Sequence, residues 1–189
     1  MKDLKSAILL FLFLALLTGG LYPAAVTVAG RFFFPRQAEG SLIADGDSRI
    51  VGSTLIGQPF TAEKYFWSRP SATAESTYNP MASAGSNLSS TNPALIRQVG
   101  ERVDALRQSG ITEEIPVDLV TASASGLDPH ISPEAAALQV PRVAKARGMD
   151  VDRLRTIVAE NIEERQLGVL GMPRVNVLDL NLALDREQP

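Results

Sequence analysis

The chain has 189 residues, with 18 Lys and Arg against 21 Asp and Glu, which gives a net charge of −3 with its one histidine neutral. It contains no block of basic residues, and this excludes a nucleic-acid-binding protein, because phosphates require a clustered basic face. Cysteine is absent, which excludes disulfides, thiolate metal sites and thiol nucleophiles, and a single histidine, His130, excludes a histidine-rich metal site.

An uncharged, largely apolar run from Ser6 to Gly30 lies near the N-terminus, with lysines before it and arginines after it. About 20 such residues cross the hydrocarbon core of a bilayer, so the run predicts a transmembrane helix. The alternative is a secretory signal peptide, but the run exceeds the roughly 7 to 15 residues of a signal core and continues into an aromatic segment at Phe32 to Phe34. The pattern favours an uncleaved anchor over residues 1–34, with the N-terminus in the cytoplasm and the rest of the chain outside.

The remainder of the chain divides into a linker and one domain. Turn-forming residues such as Asp45-Gly46-Asp47 predict a juxtamembrane linker over residues 35–48. Residues 49–189 have the typical size of a single soluble domain.

Within this domain, β-branched and aromatic segments predict four strands, at residues 50–57, 65–67, 116–122 and 174–182. A first helix is predicted from the Asn92-Pro93 cap to Gly110, and helical spacing places five apolar residues on its buried face: Leu95, Ile96, Val99, Val103 and Leu106. Strands and helices interleave, which predicts an α/β (α+β) extracytoplasmic domain on a single N-terminal transmembrane helix.

Two further helices follow. Ser132-Pro133 begins one that Gly148 ends, and Pro141 inside it predicts a kink or break near Gln139, because proline donates no backbone hydrogen bond. Asp150 caps the last helix, whose predicted buried residues are Val151, Leu154, Ile157, Val158 and Ile162.

A long polar segment, residues 68–92, carries only Arg69 and Glu75 as charged residues and exceeds the length of an ordinary connection. Its many hydroxyls and amides suit a segment that a partner surface orders, with Tyr78 as an aromatic anchor and Ser83 to Ser90 as the contact. A loop folded onto its own domain is the alternative, and the sequence leaves both open.

Familiar nucleotide and ion motifs are missing from the sequence. It contains neither the Gly-x-x-x-x-Gly-Lys-[Ser/Thr] phosphate loop nor the Gly-x-Gly-x-x-Gly dinucleotide fingerprint. It also lacks the Asp-Lys-Thr-Gly of phosphorylating transport ATPases and the Thr-Val-Gly-Tyr-Gly potassium filter, and one span cannot by itself enclose a pore. We therefore expect a chain that alone neither hydrolyses ATP by a familiar site nor conducts ions.

Ser125, Asp128 and His130 are the one set of residues that resembles a catalytic triad. Triad members usually come from separated segments, and no Gly-x-Ser-x-Gly elbow is present, so we expect no catalytic residue here. A tight turn explains the same residues: Gly126 supplies a positive φ, Asp128 accepts backbone hydrogen bonds, and His130 reaches a partner group. The residues favour this turn over a partner-binding site without deciding between them.

Five segments together resemble a known family, the C subunit of the Kdp potassium-transporting ATPase, over nearly the whole chain and in order. They are Gly52-Ser53-Thr54-Leu55-Ile56-Gly57-Gln58, Tyr65-Phe66-Trp67-Ser68-Arg69-Pro70-Ser71, Ser83-Ala84-Gly85-Ser86-Asn87-Leu88, Ser123-Ala124-Ser125-Gly126-Leu127-Asp128-Pro129-His130-Ile131-Ser132 and Arg174-Val175-Asn176-Val177-Leu178-Asp179-Leu180-Asn181. Ala124 departs from the glycine expected at its position.

The resemblance implies a non-catalytic accessory subunit of a high-affinity, ATP-driven potassium uptake complex in the cell inner membrane. Its partners would be a channel-like potassium-binding subunit, a P-type ATP-hydrolysing subunit and a small single-span subunit. The family is described as a catalytic chaperone that raises the ATP affinity of the P-type subunit. The resemblance is the only reason to expect this chain to bind ATP. We expect no directly bound cofactor or metal.

The predicted orientation separates the domain from cytoplasmic ATP, so we expect a cap over the external mouth of the channel-like subunit. The alternative function is a stand-alone, membrane-anchored extracytoplasmic enzyme or binding module. The partner-binding residues predicted from the long segment and the turn are Tyr78, Ser83, Gly85, Ser86, Asn87, Ser125, Asp128 and His130.

Overall fold

The computed structural model describes residues 2–44 and 48–187. The chain divides into two compact units, Met1–Val51 and Gly52–Pro189. The Asp45-Gly46-Asp47 turn predicted within the linker lies outside the described residues.

The first unit consists mainly of a long apolar helix. Helices α1 (Lys2–Leu16) and α2 (Tyr22–Phe33) join through a π-helical turn at Leu17–Leu21, and the short helix α3 (Pro35–Ala38) and strand β1 (Leu42–Ala44) follow. Among the described residues, one helix is long and apolar enough to cross a membrane, Asp3–Phe33, with a window of mean hydropathy 2.1 that is not buried. The predicted span at Ser6 to Gly30 lies inside this helix.

The π-helical turn has a local cause in the sequence. Pro23 follows it, and the ring of a proline clashes with the carbonyl group four residues earlier, here that of Gly19. The N–H of Tyr22 instead bonds the carbonyl oxygen of Leu17, five residues back, which widens the helix at this point. The helix therefore continues past the proline.

The second unit is built around a small antiparallel sheet with helices. Strands β3 (His130–Ile131), β4 (Ile162–Glu163) and β5 (Arg174–Asn176) form the sheet in the order β3-β5-β4. Asn176 pairs with His130, and Val175 pairs with Ile162. The helices are α4 (Pro93–Gln108), α5 (Pro133–Arg147), α6 (Val151–Glu160) and α7 (Val177–Glu187). Strand β2 (Ile50–Ser53) begins in the first unit and forms a separate two-stranded sheet with β1 there. The α+β prediction is confirmed.

The core of this unit lies between α5, α6, α7 and the sheet. Its fully buried side chains include Phe66, Ile131, Val140, Val143, Leu154, Val175, Leu180 and Leu184. The helix boundaries follow the predicted caps: Asn92, Ser132 and Asp150 each accept a hydrogen bond from the first turn of the helix that follows. Gly148 ends α5 in the left-handed conformation, at φ 63°.

The predicted closing strand at residues 174–182 is wrong beyond Asn176. The side-chain oxygen of Asn176 accepts hydrogen bonds from the N–H groups of Leu178 and Asp179, as the cap of a new helix does. In α7 the buried residues recur at helical spacing, as Val177, Leu178, Leu180, Asn181 and Leu184.

The predicted strand at residues 65–67 is also wrong, because side chains replace the strand partner. The amide of Asn181 bonds both the N–H and the carbonyl oxygen of Phe66, at 2.8 and 3.0 Å. The amide of Gln139 does the same for Trp67, at 2.8 and 3.1 Å. The backbone at Phe66 and Trp67 is thus satisfied without a neighbouring strand.

The predicted strand at residues 116–122 is instead a 3₁₀ turn at Val117–Leu119. Consecutive residues Leu119 and Val120 are both buried there, which an alternating strand does not allow. The strand predicted at residues 50–57 ends at Ser53, where the Ser53 hydroxyl and carbonyl oxygens accept from Leu55 and Ile56 and turn the chain.

Three helix details differ from prediction. Helix α5 runs unbroken through Pro141, so the predicted break near Gln139 is wrong, while the alternative of a kink stays a prediction; Val140 and Val143 are buried on either side of the proline. Ile96, predicted on the buried face of α4, is 61% exposed. Ile162 lies in β4, because α6 ends at Glu160.

Candidate functional site

The turn at residues 123–130 has the geometry that the sequence predicts. Gly126 has φ +69°, and its N–H donates to the hydroxyl of Ser123 at 2.9 Å. The hydroxyl of Ser125 accepts from the N–H of Leu127 at 3.1 Å, and the carboxylate of Asp128 accepts from the N–H of His130 at 3.0 Å. The hydroxyl of Ser125 therefore shapes the turn, and the arrangement is not that of a nucleophile beside its base.

Asp128 is the centre of an ionic cluster. Arg69 Nη1 donates to Asp128 Oδ2 at 2.7 Å, and His130 Nδ1 lies 3.1 Å from Asp128 Oδ1. Partial burial alone would raise the pKa of Asp128, but the hydrogen bonds from His130 and Arg69 outweigh it and lower this pKa to about 2. Asp128 is therefore ionised at neutral pH and ties the turn to the segment that carries Arg69.

The long polar segment folds onto this turn. The hydroxyl of Ser71 donates to the carbonyl oxygen of Gly126 at 2.7 Å, and the hydroxyl of Ser83 donates to that of Ser125 at 3.0 Å. Tyr78 is only 6% exposed and its hydroxyl donates to the carbonyl oxygen of Arg69. Of the two alternatives for this segment, these contacts describe a loop folded on its own domain.

Two glycines allow the close approach of the segment and the turn. A Cβ atom on Gly126 would lie 2.6 Å from Thr73 Cγ2 and 2.9 Å from the carbonyl oxygen of Ala84. A Cβ atom on Gly85 would lie 3.0 Å from the carbonyl oxygen of Ala124. The absence of side chains at these two positions lets the backbones pack directly.

The predicted partner-binding residues fall into three groups. Four of them, Ser83, Ser86, Asn87 and Ser125, are exposed. Gly85, Asp128 and His130 are partly buried, and Tyr78 is buried inside the loop and offers no surface contact. The structure brings Ser83 and Gly85 against residues 124–126, and residues 86 and 87 continue the exposed backbone from there. We call Ser83, Ser86, Asn87 and Ser125 the polar surface.

Sequence reasoning assigned no role to Arg69, which forms the shortest ion pair to Asp128. The available signal was its position as one of two charged residues in a polar segment of 25 residues, residues 68–92. A lone arginine in such a segment, partly buried in the structure, usually has a specific anionic partner.

Two clefts share the Arg69, Asp128 and His130 cluster as a wall. The larger, of about 1080 Å³, extends to Asp118, Pro133 and Arg174. The smaller, of about 720 Å³, extends to Leu55 and Ser125. The Arg69, Asp128 and His130 cluster, which we call the ionic clamp, therefore borders two open clefts.

The charges of the larger cleft do not suit a nucleotide. Four carboxylates line it, those of Glu114, Asp118, Asp128 and Glu134, together with the guanidinium groups of Arg69 and Arg174. The helix terminus that could accept a phosphate, the start of α5, is occupied, because the N–H of Ser132 donates to Asp118 Oδ2 at 2.6 Å. Among residues 2–44 and 48–187, no group of three or more His, Cys, Asp or Glu side chains could hold a metal ion.

The fold and the site thus define an α+β domain, stabilised by an ionic clamp, in a chain that begins with an apolar helix. The family model described as KdpC, K⁺-transporting ATPase c chain, matches residues 4–186. Three similar proteins carry the name potassium-transporting ATPase KdpC subunit. That of Geobacter sulfurreducens is 60% identical over 189 residues, and that of Geobacter metallireducens is 57% identical over 189 residues, with all of both chains covered in each comparison. That of Geotalea uraniireducens is 58% identical over 186 residues, 98% of each chain.

The chain belongs to the KdpC family of potassium-transporting ATPase subunits. This confirms the resemblance found in the sequence and supports an accessory role in a membrane complex. It favours that role over the alternative of a stand-alone enzyme or binding module, because the relatives are named as subunits.

Proposed function

We propose that this chain is a non-catalytic subunit whose domain caps the external mouth of the channel-like, potassium-binding subunit of the complex. The single N-terminal helix anchors it in the inner membrane, with the N-terminus in the cytoplasm. The P-type subunit and the small single-span subunit complete the assembly.

The observation that carries the proposal is the folded state of the long segment. Hydrogen bonds from Ser71 and Ser83 to the turn, and the ionic clamp at Asp128, hold the polar surface in place before any partner binds. A preordered surface loses little conformational entropy on docking. Its exposed serine hydroxyls and the amide of Asn87 suit hydrogen bonds to the loops of another subunit.

In this proposal Asp128 and His130 position the polar surface and do not themselves bind the partner. Both are partly buried and hydrogen-bonded to one another, and Asp128 is also paired with Arg69. The partner contacts are assigned to Ser83, Ser86, Asn87 and Ser125.

The chaperone effect on ATP affinity is proposed to be indirect. The cleft carries four carboxylates against two guanidinium groups, both already paired with carboxylates, and Asp118 occupies the N-terminus of α5. Nucleotide phosphates would meet repulsion there. A change in ATP affinity would therefore pass through contacts between subunits, as a coupling of conformational states.

Co-purification of the tagged chain with the other subunits tests the assignment. Ser86→Arg places a long charged side chain on the polar surface, and we expect it to reduce the recovered complex several-fold. Ala146→Arg, at an exposed position of α5, is the matched control and should leave recovery unchanged. Equal recovery for both variants would remove the polar surface from the proposal. A wild-type chain that elutes alone and monodisperse would overturn the subunit role.

Orientation has its own test. A reporter that is active only outside the cytoplasm, fused after Pro189, should be active, because the described residues contain one candidate span and it lies near the N-terminus. A cytoplasmic reporter that is active at the same position would reverse the orientation and make direct contact with cytoplasmic ATP feasible.

A further inference from the structure

A hairpin between β4 and β5 exposes an unusual amount of apolar surface. We call residues 165–172 the apolar hairpin. Four of its large apolar side chains are more than half exposed: Leu167 at 89%, Val169 at 73%, Leu170 at 56% and Met172 at 72%. Four such side chains within six residues together expose apolar surface on the order of a few hundred Å², the size at which exposed apolar surface marks interaction sites.

The apolar hairpin is ordered without a partner. Gln166 and Leu170 exchange backbone hydrogen bonds of 3.0 and 2.9 Å across the hairpin. At its base, Arg174 donates to Glu163 at 2.9 Å, where β4 and β5 pair. The hairpin therefore needs little further ordering to dock, which lowers the entropic cost of an interface.

The backbone at the tip favours a residue other than leucine. Leu167 has φ +53° and Gly168 has φ +75°, so two successive residues adopt left-handed conformations in a tight turn. Glycine or asparagine occupies such positions at lower cost than a bulky side chain. Burial within the domain does not offset the conformational cost at Leu167, because this side chain is 89% exposed.

We propose that the apolar hairpin inserts into an apolar socket on another protein subunit of the same complex. The proposal rests on the subunit role proposed above. Residues 166–173 carry no charge, and arginines stand at positions 165 and 174 on either side. Arg174 is already paired with Glu163, and Glu164 balances Arg165, so the complementary partner surface is an apolar socket.

A lipid surface is the other apolar environment near an anchored domain, and the composition of the hairpin argues against it. Residues 162–173 contain no Trp, Tyr or Phe, the residues that membrane interfaces favour, and no Lys. The charges that flank the hairpin, two Glu at 163 and 164 and two Arg at 165 and 174, cancel and so give no net attraction to anionic headgroups. The segment that does carry aromatic side chains suited to an interface is Phe32 to Phe34, beside the candidate span.

The hairpin is also continuous with the larger cleft. Met172, Pro173 and Arg174 line that cleft together with His130. Val117, 70% exposed, lines it as well. A partner that receives the hairpin would thus also cover the mouth of the cleft, so one docking event would bury the apolar side chains on both.

The absence of cysteine from the chain permits a direct test. Val169→Cys and, separately, Ile96→Cys place one thiol on the hairpin and one on α4, both at exposed apolar positions. In the assembled complex in lipid, we expect a water-soluble thiol reagent to label Cys at position 169 at least tenfold more slowly than in the chain alone. Labelling at position 96 should change less than twofold. A photoactivatable cross-linker on the position-169 thiol should join the chain to another subunit.

Three outcomes would overturn the proposal. Unchanged labelling at position 169 in a complex that co-purifies normally would show that the hairpin stays in water, while the subunit role stands. Protection in the chain alone in lipid, with quenching of a fluorescent label by lipid-attached quenchers, would place the hairpin in the bilayer. Cross-links between two copies of this chain would assign it to self-association.

A double substitution tests whether the exposed side chains of the apolar hairpin stabilise the complex. Leu167→Ser with Val169→Ser should reduce the recovered complex several-fold without changing the melting temperature, because both side chains are exposed in the free chain. Normal recovery would contradict the proposal. Because Ser86→Arg tests the polar surface separately, loss of one effect with retention of the other identifies which assignment fails.

Discussion

The side-chain amide of Asn181 forms two hydrogen bonds with the backbone of Phe66, a residue 115 positions earlier in the chain. Asn181 is 1% exposed and Phe66 fully buried, so these bonds replace water for both backbone groups. Gln139 serves Trp67 in the same way, and its carbonyl oxygen also accepts from Arg142 at 2.7 Å. Two amide side chains thus hold an extended segment that has no strand beside it.

Replacing Asn181 should therefore be costly. Asn181→Leu leaves the N–H and the carbonyl oxygen of Phe66 buried without partners, and each such group costs about 1–3 kcal/mol. We expect the free energy of unfolding to fall by about 2–4 kcal/mol, measured by urea unfolding of the full chain in detergent. Gln108→Leu, at the exposed last residue of α4, is the control and should change it by less than about 0.5 kcal/mol. If Asn181→Leu lowers the free energy of unfolding by no more than this control does, water must reach the backbone of Phe66.

The same contacts show which features the sequence could predict. Helix starts depend on residues within one turn, so the local sequence was enough to predict the caps Asn92, Ser132 and Asp150. The partner of Phe66 is set by the tertiary fold, and a run of three aromatic residues wrongly indicated a strand there. The segment after Asn176 failed for a related reason. Its apolar residues fit both an alternating strand and a helix, and only the cap at Asn176 decides between them.

The same distinction between local and tertiary signals applies to the candidate site. A left-handed glycine and a side-chain acceptor in a turn are local signals, and both were predicted correctly at Gly126 and Asp128. The ion pair with Arg69 spans 59 positions and has no local signal. The exposed apolar hairpin was missed because Leu, Val and Met in a sequence indicate burial by default.

Two glycines separate backbone strain from steric crowding. Gly126 and Gly148 both have left-handed conformations, at φ +69° and +63°. A Cβ atom on Gly148 meets nothing within 4 Å, whereas one on Gly126 collides with Thr73 and Ala84. We expect Gly148→Ala to cost about 1 kcal/mol from backbone strain alone. Gly126→Ala should cost about 1–3 kcal/mol more, because the loop must move away from the turn.

Thermal unfolding of the two alanine variants, with ΔΔG evaluated at the melting temperature, measures this difference. Equal losses would mean that the long segment is not held against the turn in solution. Since Ser83 lies on that segment, the same result would also weaken the case for a preordered polar surface.

The domain should fold without the N-terminal helix. The buried apolar core and the residues packed against it lie between Phe60 and Leu184, wholly within the second unit. We expect a chain that lacks Met1 to Phe34 to unfold cooperatively in urea, followed by circular dichroism. Leu180→Ala in this shortened chain is the control for a real core, and should lower its stability by about 2–5 kcal/mol. A non-cooperative transition would show that the anchor belongs to the fold.

The charge on Asp128 should make stability depend on pH in the acid range. Its pKa lies at about 2 in the folded chain, below the ordinary value of 3.8, so the unfolded chain binds the proton more readily. The stabilisation is therefore complete above about pH 4 and is lost as the pH falls towards 2. With allowance for solvent screening of a carboxylate that is 28% exposed, it amounts to about 1–2 kcal/mol.

Asp128→Asn should lower the free energy of unfolding by this amount at pH 7. It should lose no further stability between pH 4 and pH 2, so the urea unfolding free energies of variant and wild type should converge over that range. Glu164→Gln, which removes an exposed charge, should follow the wild type at every pH. A difference between Asp128→Asn and wild type that stays constant from pH 7 to pH 2 would show that the negative charge of Asp128, held by His130 and Arg69, does not stabilise the turn.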